Sequence, residues 1–319
     1  MGAEFVQISL IPILIGIFSA IACALPGNFL LLRGQALLGD AIAHVVLPGI
    51  VVAFLLGGAI ATWPMMAGAA GAALIAIGMI EAIRRFGGVE PGAAMGVSFT
   101  ALFALGVLLM ELSEASAVHL DDHALRGNLE SLIWFSATGW SSLWDPEALA
   151  DLPLELARIA GAAAVIGLLT WFFWRPLALS TFDEAHARAL GLPTTLISVG
   201  LVTAAAAAAV ASFQAVGSII VIAMFICPPA AARLMTHRLD RQVAWSLLFA
   251  AASAVLGYVV AGYGPGWFGA DYAVSAAGMI AVISGAILGL ACLFGPRRQP
   301  AEREGSVAER DASPRILDQ

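Results

Sequence analysis

A carboxylate and an imidazole lie one helical turn apart in the segment LLGDAIAHVVLPG, residues 37–49. Asp40 and His44 occupy positions i and i+4, so a helix would present both on one face. An ionisable side chain at bilayer depth costs about 2.5–3.5 kcal/mol on insertion scales. Carboxylate oxygen with imidazole nitrogen suits Mn²⁺, Zn²⁺ or Fe²⁺. The residues alone leave two interpretations open: a metal site on a transport path, or a pair that satisfies itself near a helix end.

A second group of ionisable residues forms the segment HLDDH at 119–123. It lies in an acidic stretch, 112–154, between two strongly apolar parts of the chain. His119, Asp121, Asp122 and His123 could attract cations electrostatically. A plain solvated loop would contain the same residues, so this interpretation also stays open.

The segment STFDEAHARALGLPT, residues 180–194, has mixed charge and predicts a short amphipathic helix followed by a turn. Ser180 or Thr181 would begin the helix, and Gly191 with Pro193 would end it. Such a helix is either a solvated linker or a docking element for a cytoplasmic partner.

Prolines interrupt two of the apolar segments. Pro48-Gly49 follows the Asp40/His44 pair and predicts a kinked or opened helix. Pro228-Pro229 lies in VGSIIVIAMFICPPAAARL, residues 216–234, and predicts that a span ends there at the cytoplasmic face. A gate is the alternative interpretation of the second pair.

The elements that position these residues are membrane helices. Hydrophobic residues make up 61% of the 319 residues and charged residues 12%, and the mean hydropathy is +0.92, which excludes an ordinary soluble domain. Nine apolar stretches could each cross a bilayer core of about 30 Å. The sequence therefore predicts an all-α, polytopic transmembrane helical bundle of about eight to nine spans. The predicted spans are 8–30, 38–60, 63–80, 92–111, 155–174, 195–212, 215–233, 241–262 and 272–294.

Arginines predict the orientation of these spans, because cytoplasmic loops are enriched in basic residues. They occur in alternating connections, whereas the opposite connections contain only Arg126 and Arg158 and include the acidic stretch 112–154. We therefore predict the N-terminus outside and the C-terminus in the cytoplasm. The arginine-bearing connections contain Arg33, Arg84, Arg85, Arg175, Arg188, Arg233, Arg238, Arg241, Arg297 and Arg298.

Several classes of protein are excluded by what the sequence lacks. All fifteen basic residues are arginine, so a Walker A loop, which requires lysine, cannot form in this sequence. The three cysteines show no metal-ligand or disulfide spacing, and no HExxH motif supports an intramembrane metalloprotease. The sequence is therefore not predicted to be an enzyme. It divides into a transmembrane domain, 1–295, and a charged tail, 296–319, whose composition predicts disorder.

Three of these segments together resemble the permease subunits of ATP-binding-cassette importers for manganese, zinc or iron. They are LRGQALLGDAIAHVVLPGIVVAFLL at 32–56, FDEAHARALGLP at 182–193, and the segment at 216–234. The resemblance runs from about residue 8 to residue 294. It implies that Asp40 and His44 lie on the metal translocation path. It also implies that 180–194 is the segment that couples the permease to its ATPase. The matching coupling residues are Phe182, Asp183, Glu184, Ala187, Leu190 and Gly191.

The resemblance implies an assembly as well as a site. Permeases of this family pair with a second copy or with a sister permease in the inner, or plasma, membrane of bacteria. Cytoplasmic ATP-binding-cassette subunits bind the coupling segments, and an extracytoplasmic metal-binding protein delivers the ion. The divalent metal is cargo, so no permanently bound cofactor is expected, and membrane lipid is the surrounding partner. No partnership with nucleic acid is implied.

Details of the metal and of the energy source are less specified. The form GDAxxHxVLPG resembles the manganese and iron branch, so Mn²⁺ is favoured over Zn²⁺. Arg126, in LRGN, departs from the aromatic residue that the family usually has in its outer loop. A secondary carrier driven by an ion gradient is the alternative function, with Asp40 as its proton site. It would need no ATPase partner, and the coupling-like segment argues against it.

Overall fold

The computed structural model describes residues 4–57, 62–112, 129–137, 139–267 and 274–296. Within these ranges the chain is helical and has no β-strand, as the sequence predicts. A π-helical turn, Phe5–Leu10, leads into the first α-helix. The α-helices are α1 (Ile11–Leu32), α2 (Leu38–Gly57), α3 (Thr62–Gly87), α4 (Pro91–Glu111), α5 (Pro146–Ala150), α6 (Leu154–Phe172), α7 (Trp174–Phe182), α8 (Glu184–Ala189), α9 (Thr194–Met235), α10 (Leu239–Trp267) and α11 (Ala276–Phe294).

Eight helical segments in the described ranges are long and apolar enough to cross a membrane. They match eight of the nine predicted spans. The other predicted span, 38–60, corresponds to the helix α2, Leu38–Gly57. The polytopic helical bundle is therefore confirmed, whereas its orientation in the membrane stays a prediction. The eight segments are Phe5–Leu32, Pro64–Gly87, Gly92–Glu111, Leu154–Phe172, Thr194–Phe213, Ala215–Met235, Leu239–Gly266 and Ala276–Phe294.

Helix α1 is the central element of the bundle. It packs against α6, α9 and α10, and Cys23 and Phe29 on it are fully buried. A helix that is apolar on all sides is expected to be surrounded in this way. Helices α2, α3 and α4 pack against one another beside it, and α2 also contacts α9.

Helix α9 is broken at Gly217, whose φ of 79° and ψ of 170° are accessible mainly to glycine. The thiol of Cys23 donates to Ser212 Oγ at 3.8 Å, and a Cβ built on Gly27 would lie 2.5 Å from the carbonyl oxygen of Phe225. In a straight helix residues 212 and 225 would be about 20 Å apart, whereas Cys23 and Gly27 are about 6 Å apart on α1. The chain after Gly217 therefore folds back onto α1, which accounts for two spans in one helical run.

Prolines lie inside both helices. Helix α9 continues through Pro228 and Pro229 and ends at Met235, so the span ends just beyond the proline pair and not at it. Helix α2 continues through Pro48 to Gly57, so the predicted opening there is wrong, whereas a kink at Pro48 stays a prediction. Membrane helices tolerate proline where neighbouring elements satisfy the freed carbonyl groups. The predicted disorder of the tail falls on residues 297–319, outside the described residues.

The Pro48-Gly49 pair forms close contacts of α2 with α3 and α4. A Cβ on Gly49 would lie 2.7 Å from Ala72 Cβ of α3, and one on Gly68 of α3 would lie 2.7 Å from Ala53 Cβ. A Cβ on Gly106 of α4 would lie 2.9 Å from Pro48. Small residues at such crossings let membrane helices approach closely.

Replacing Gly68 with valine is therefore expected to destabilise the protein by about 1–3 kcal/mol, because the added methyl groups overpack the crossing of α2 and α3. The midpoint of thermal unfolding in detergent measures this change. Gly71→Val is the matched control on the same helix, since no described atom lies within 4 Å of its Cβ position. Equal stability of the two variants would contradict the assignment of this crossing.

Candidate functional site

The start of α2 is fixed by a tight turn after α1. Gly34 has a φ of 69°, and the amide of Gln35 donates to Leu30 O at 2.8 Å while that of Gly34 donates to Leu31 O at 3.1 Å. This pair of bonds is a Schellman motif, which ends a helix with glycine in the left-handed region. Helix α2 begins at Leu38, three residues after Gln35, so the Asp40/His44 pair lies close to the end of α1.

Helix α2 contains both predicted metal ligands within its first two turns. Asp40 and His44 are one turn apart on its backbone, as the spacing predicts. Just before Asp40, Gly39 packs against the ring of Phe225, because a Cβ there would lie 2.7 Å from Phe225 Cγ. The fully buried Phe225 of α9 thus contacts both α1, at Gly27, and α2, at Gly39.

The imidazole of His44 is partly buried between two phenylalanine rings of α4. It stacks on Phe99 with ring centroids 5.8 Å apart and planes at 23°. It meets Phe103 in a T-shaped arrangement at 5.4 Å and 75°. These are favourable geometries for aromatic pairs, and they pack the imidazole against α4. The two phenylalanine rings themselves supply no ligand atom.

No group of three or more His, Cys, Asp or Glu residues in the described part of the chain could hold a metal ion. The segment HLDDH, with His119, Asp121, Asp122 and His123, lies outside the described residues, so its predicted role in attracting cations stays a prediction. The same is true of Arg126. Asp40 and His44 are therefore the candidate site that can be placed on the fold.

The predicted coupling segment forms the helix α8 and the turn that follows it. The backbone N–H of His186 donates to Asp183 Oδ1 at 2.8 Å, and Arg188 binds Glu184 at 2.7 Å. The helix ends at Gly191, with a φ of 80°. There the amide of Gly191 donates to Arg188 O and that of Leu192 donates to Ala187 O, which is again a Schellman motif. The predicted short helix and its glycine end are confirmed.

The predicted start of this helix at Ser180 or Thr181 is wrong, because both residues belong to the end of α7. Asp183 is the N-cap of α8. Their hydroxyl groups donate within α7, to Leu177 O at 3.2 and 2.6 Å, and the side chain of Asp183 caps the next helix instead.

The predicted coupling residues differ in exposure. The side chains of Phe182 and Leu190 are 58% and 62% exposed, whereas Ala187 is fully buried. Exposed apolar side chains beside a charged helix are typical of a docking surface. Ala187 instead lies on the buried face of α8.

Arg33, at the end of α1, is a polar residue whose contacts the sequence does not reveal. Its guanidinium donates to Ser180, Thr181 and Ser198 at 2.9, 3.1 and 2.8 Å. Burial lowers the pKa of Arg33, and attraction to Glu184 partly opposes this shift. The only signal in the sequence is an arginine directly before a turn glycine.

A second polar network lies inside the bundle, where Asn28 and Gln242 are fully buried. Asn28 donates to Ser246 Oγ at 3.0 Å and to Ala24 O at 2.7 Å. Gln242 donates to Asn28 Oδ1 and accepts from Arg233, both at 3.3 Å. The network satisfies buried amides that would otherwise be costly in lipid, and it joins α1, α9 and α10.

Comparisons with known proteins agree with one another. The model of the ABC 3 transport family matches residues 5–132 and 149–294. The manganese transport system membrane protein MntD of Bacillus subtilis is 36% identical over 282 residues, which are 88% of this chain and 90% of MntD. The zinc transport system membrane protein TroD of Treponema pallidum is 35% identical over 294 residues, 91% of this chain and 75% of TroD. The solved structure of PsaBC from Streptococcus pneumoniae in complex with Fab matches with a TM-score of 0.72, 26% identity and coverage of 92% of this chain and 94% of the PsaBC chain.

Proposed function

Because this chain belongs to the ABC 3 transport family and is a multi-pass membrane permease, we propose that it imports divalent transition-metal cations across a bacterial plasma membrane. ATP would be hydrolysed by separate subunits. Mn²⁺ is the favoured cargo, with Zn²⁺ and Fe²⁺ as the other candidates. The manganese-transport name of the 36% identical relative supports this order, and the zinc-transport name of TroD keeps Zn²⁺ among the candidates.

The observation that carries this proposal is the placement of Asp40 and His44 one turn apart on α2, with the imidazole set between Phe99 and Phe103. A carboxylate compensates part of the charge that a dehydrating cation brings into a bilayer. An imidazole nitrogen favours first-row transition metals over Mg²⁺ and Ca²⁺, which prefer oxygen ligands only.

The coupling segment, with its exposed Phe182 and Leu190, supports docking of a cytoplasmic ATPase subunit. The ion would be delivered by an extracytoplasmic metal-binding protein. The permease would act as a pair, either with a second copy or with a sister chain. The membrane domain is residues 1–295, with the N-terminus outside and the tail 296–319 in the cytoplasm.

Reconstitution of the permease with its ATPase subunits in lipid vesicles tests this function. We expect ⁵⁴Mn²⁺ to accumulate on the side of the membrane that carries the C-terminal tail. We also expect accumulation to require ATP on that same side. Protease sensitivity of the tail reports which side it occupies. Accumulation driven by a proton gradient in vesicles of this chain alone would instead establish the secondary carrier.

A further inference from the structure

Arg33 joins three elements at the end of the bundle that also carries the coupling segment. It is the residue that directly follows α1, and its three hydrogen bonds reach the end of α7, at Ser180 and Thr181, and the first turns of α9, at Ser198. These partners are 147 to 165 residues away in sequence. One side chain therefore connects the centre of the membrane domain to the helix that immediately precedes α8.

The hydroxyl groups are oriented to accept from Arg33. Ser180 and Thr181 each give their own proton to Leu177 O, which leaves their oxygen lone pairs for the guanidinium. Nε, Nη1 and Nη2 each bind a different hydroxyl. The rigid planar fork of arginine suits this arrangement, whereas the single ammonium of lysine cannot reproduce it.

The surroundings link this cluster to both functional regions. Glu184, the first residue of α8, interacts electrostatically with Arg33. On the other side only the Gly34–Leu37 turn separates Arg33 from α2, where Asp40 and His44 lie. A cavity of about 60 Å³ adjoins the turn and is lined by Gln35, Leu38 and Ser198. The turn therefore has unfilled space beside it.

We propose that Arg33 is a positioning residue that transmits displacement of the coupling segment to the turn between α1 and α2, and through it to the metal-binding pair. The proposal rests on the proposed function, since it assumes that an ATPase acts on α8. A pull on α7 and α8 moves the hydroxyl groups of Ser180 and Thr181, the guanidinium follows them, and the end of α1 and the start of α2 shift together. Removing the guanidinium leaves the helices in place but separates the two motions.

The test compares metal transport per ATP hydrolysed in the reconstituted complex for Arg33→Ala, Arg33→Lys and the wild type. Coupling between distinct sites is typically about 5- to 150-fold, so we expect Arg33→Ala to lower the ratio of ⁵⁴Mn²⁺ transported to ATP hydrolysed about tenfold, with ATPase binding retained. Arg33→Lys should give an intermediate ratio. Arg238→Ala is the matched control, because the exposed Arg238 binds its near neighbour Asp240 and should leave the ratio unchanged.

A purely structural role would lower transport and ATP hydrolysis together, at a constant ratio, and that result would overturn the proposal. If Arg33→Ala does not assemble, the double variant Thr181→Ala and Ser198→Ala keeps the arginine and removes two of its three acceptors. It should lower the same ratio, and a normal ratio in that variant would also overturn the proposal. Failure of the proposed function is distinguishable, because the wild-type complex itself would then show no ATP-dependent metal transport.

Discussion

His44→Ala is expected to reduce metal uptake to about one hundredth or less of the wild-type rate while the protein still inserts in the membrane. Loss of residues that only support a metal ligand already costs about 10- to 100-fold, and this substitution would remove a ligand itself. Asp40→Asn should have a comparable effect, because it removes the charge and retains the size of the side chain. Uptake of ⁵⁴Mn²⁺ by cells, with the amount of permease measured in isolated membranes, gives both quantities.

His237→Ala is the control for this prediction. His237 is exposed and lies in the connection between α9 and α10, away from α2. Its loss should leave uptake unchanged. Near-normal uptake by both His44→Ala and Asp40→Asn would contradict the site, and would return the pair to the interpretation of two residues that satisfy each other.

Gly191→Ala is expected to abolish ATP-driven transport while the ATPase subunits continue to hydrolyse ATP. Gly191 has a φ of 80°, and a residue with a Cβ costs about 1–2 kcal/mol in the left-handed region. The end of α8 would therefore rearrange, and the exposed Leu190 beside it would leave its place on the docking surface. Glu184→Ala should act in the same direction, because it removes the ion pair with Arg188. Parallel assays of transport and ATP hydrolysis in reconstituted vesicles measure the separation.

Gly88 provides a control with the same backbone requirement. It has a φ of 60°, no described atom lies within 4 Å of its Cβ position, and it lies in the connection between α3 and α4. Gly88→Ala introduces comparable strain on the predicted cytoplasmic side without touching α8, so coupling should persist. If both glycine variants impaired transport equally, general destabilisation and not docking would explain the effect of Gly191→Ala.

Features that depend on local spacing could be predicted from the sequence. The apolar stretches predicted the membrane helices, because each stretch is long enough to cross a bilayer. The four-residue interval between Asp40 and His44 placed both on one helix, and Gly191 marked the end of α8. These inferences need only the geometry of a helix and the conformational freedom of glycine.

Features that depend on distant contacts could not be predicted. Phe99 and Phe103 are more than fifty residues from His44, and nothing in their local sequence indicates that they contact its ring. From the sequence, Ser180 and Thr181 are candidate helix caps. Their contacts with Leu177 and Arg33 cannot be inferred from the sequence, so their true positions at the end of α7 could not be predicted. The passage of α9 through Pro228 and Pro229 similarly depends on the helices that surround it.

The position of Phe225 has a consequence for how the bundle can move. The backbone of the buried Phe225 lies against Gly27 on the central helix, and its side chain packs on Gly39 at the start of the helix with the candidate ligands. Rocking of the second half of α9 would therefore carry α1 and the beginning of α2 with it as one rigid block. Relative movement during a transport cycle is then expected between that block and α4, where the imidazole of His44 contacts the two phenylalanine rings.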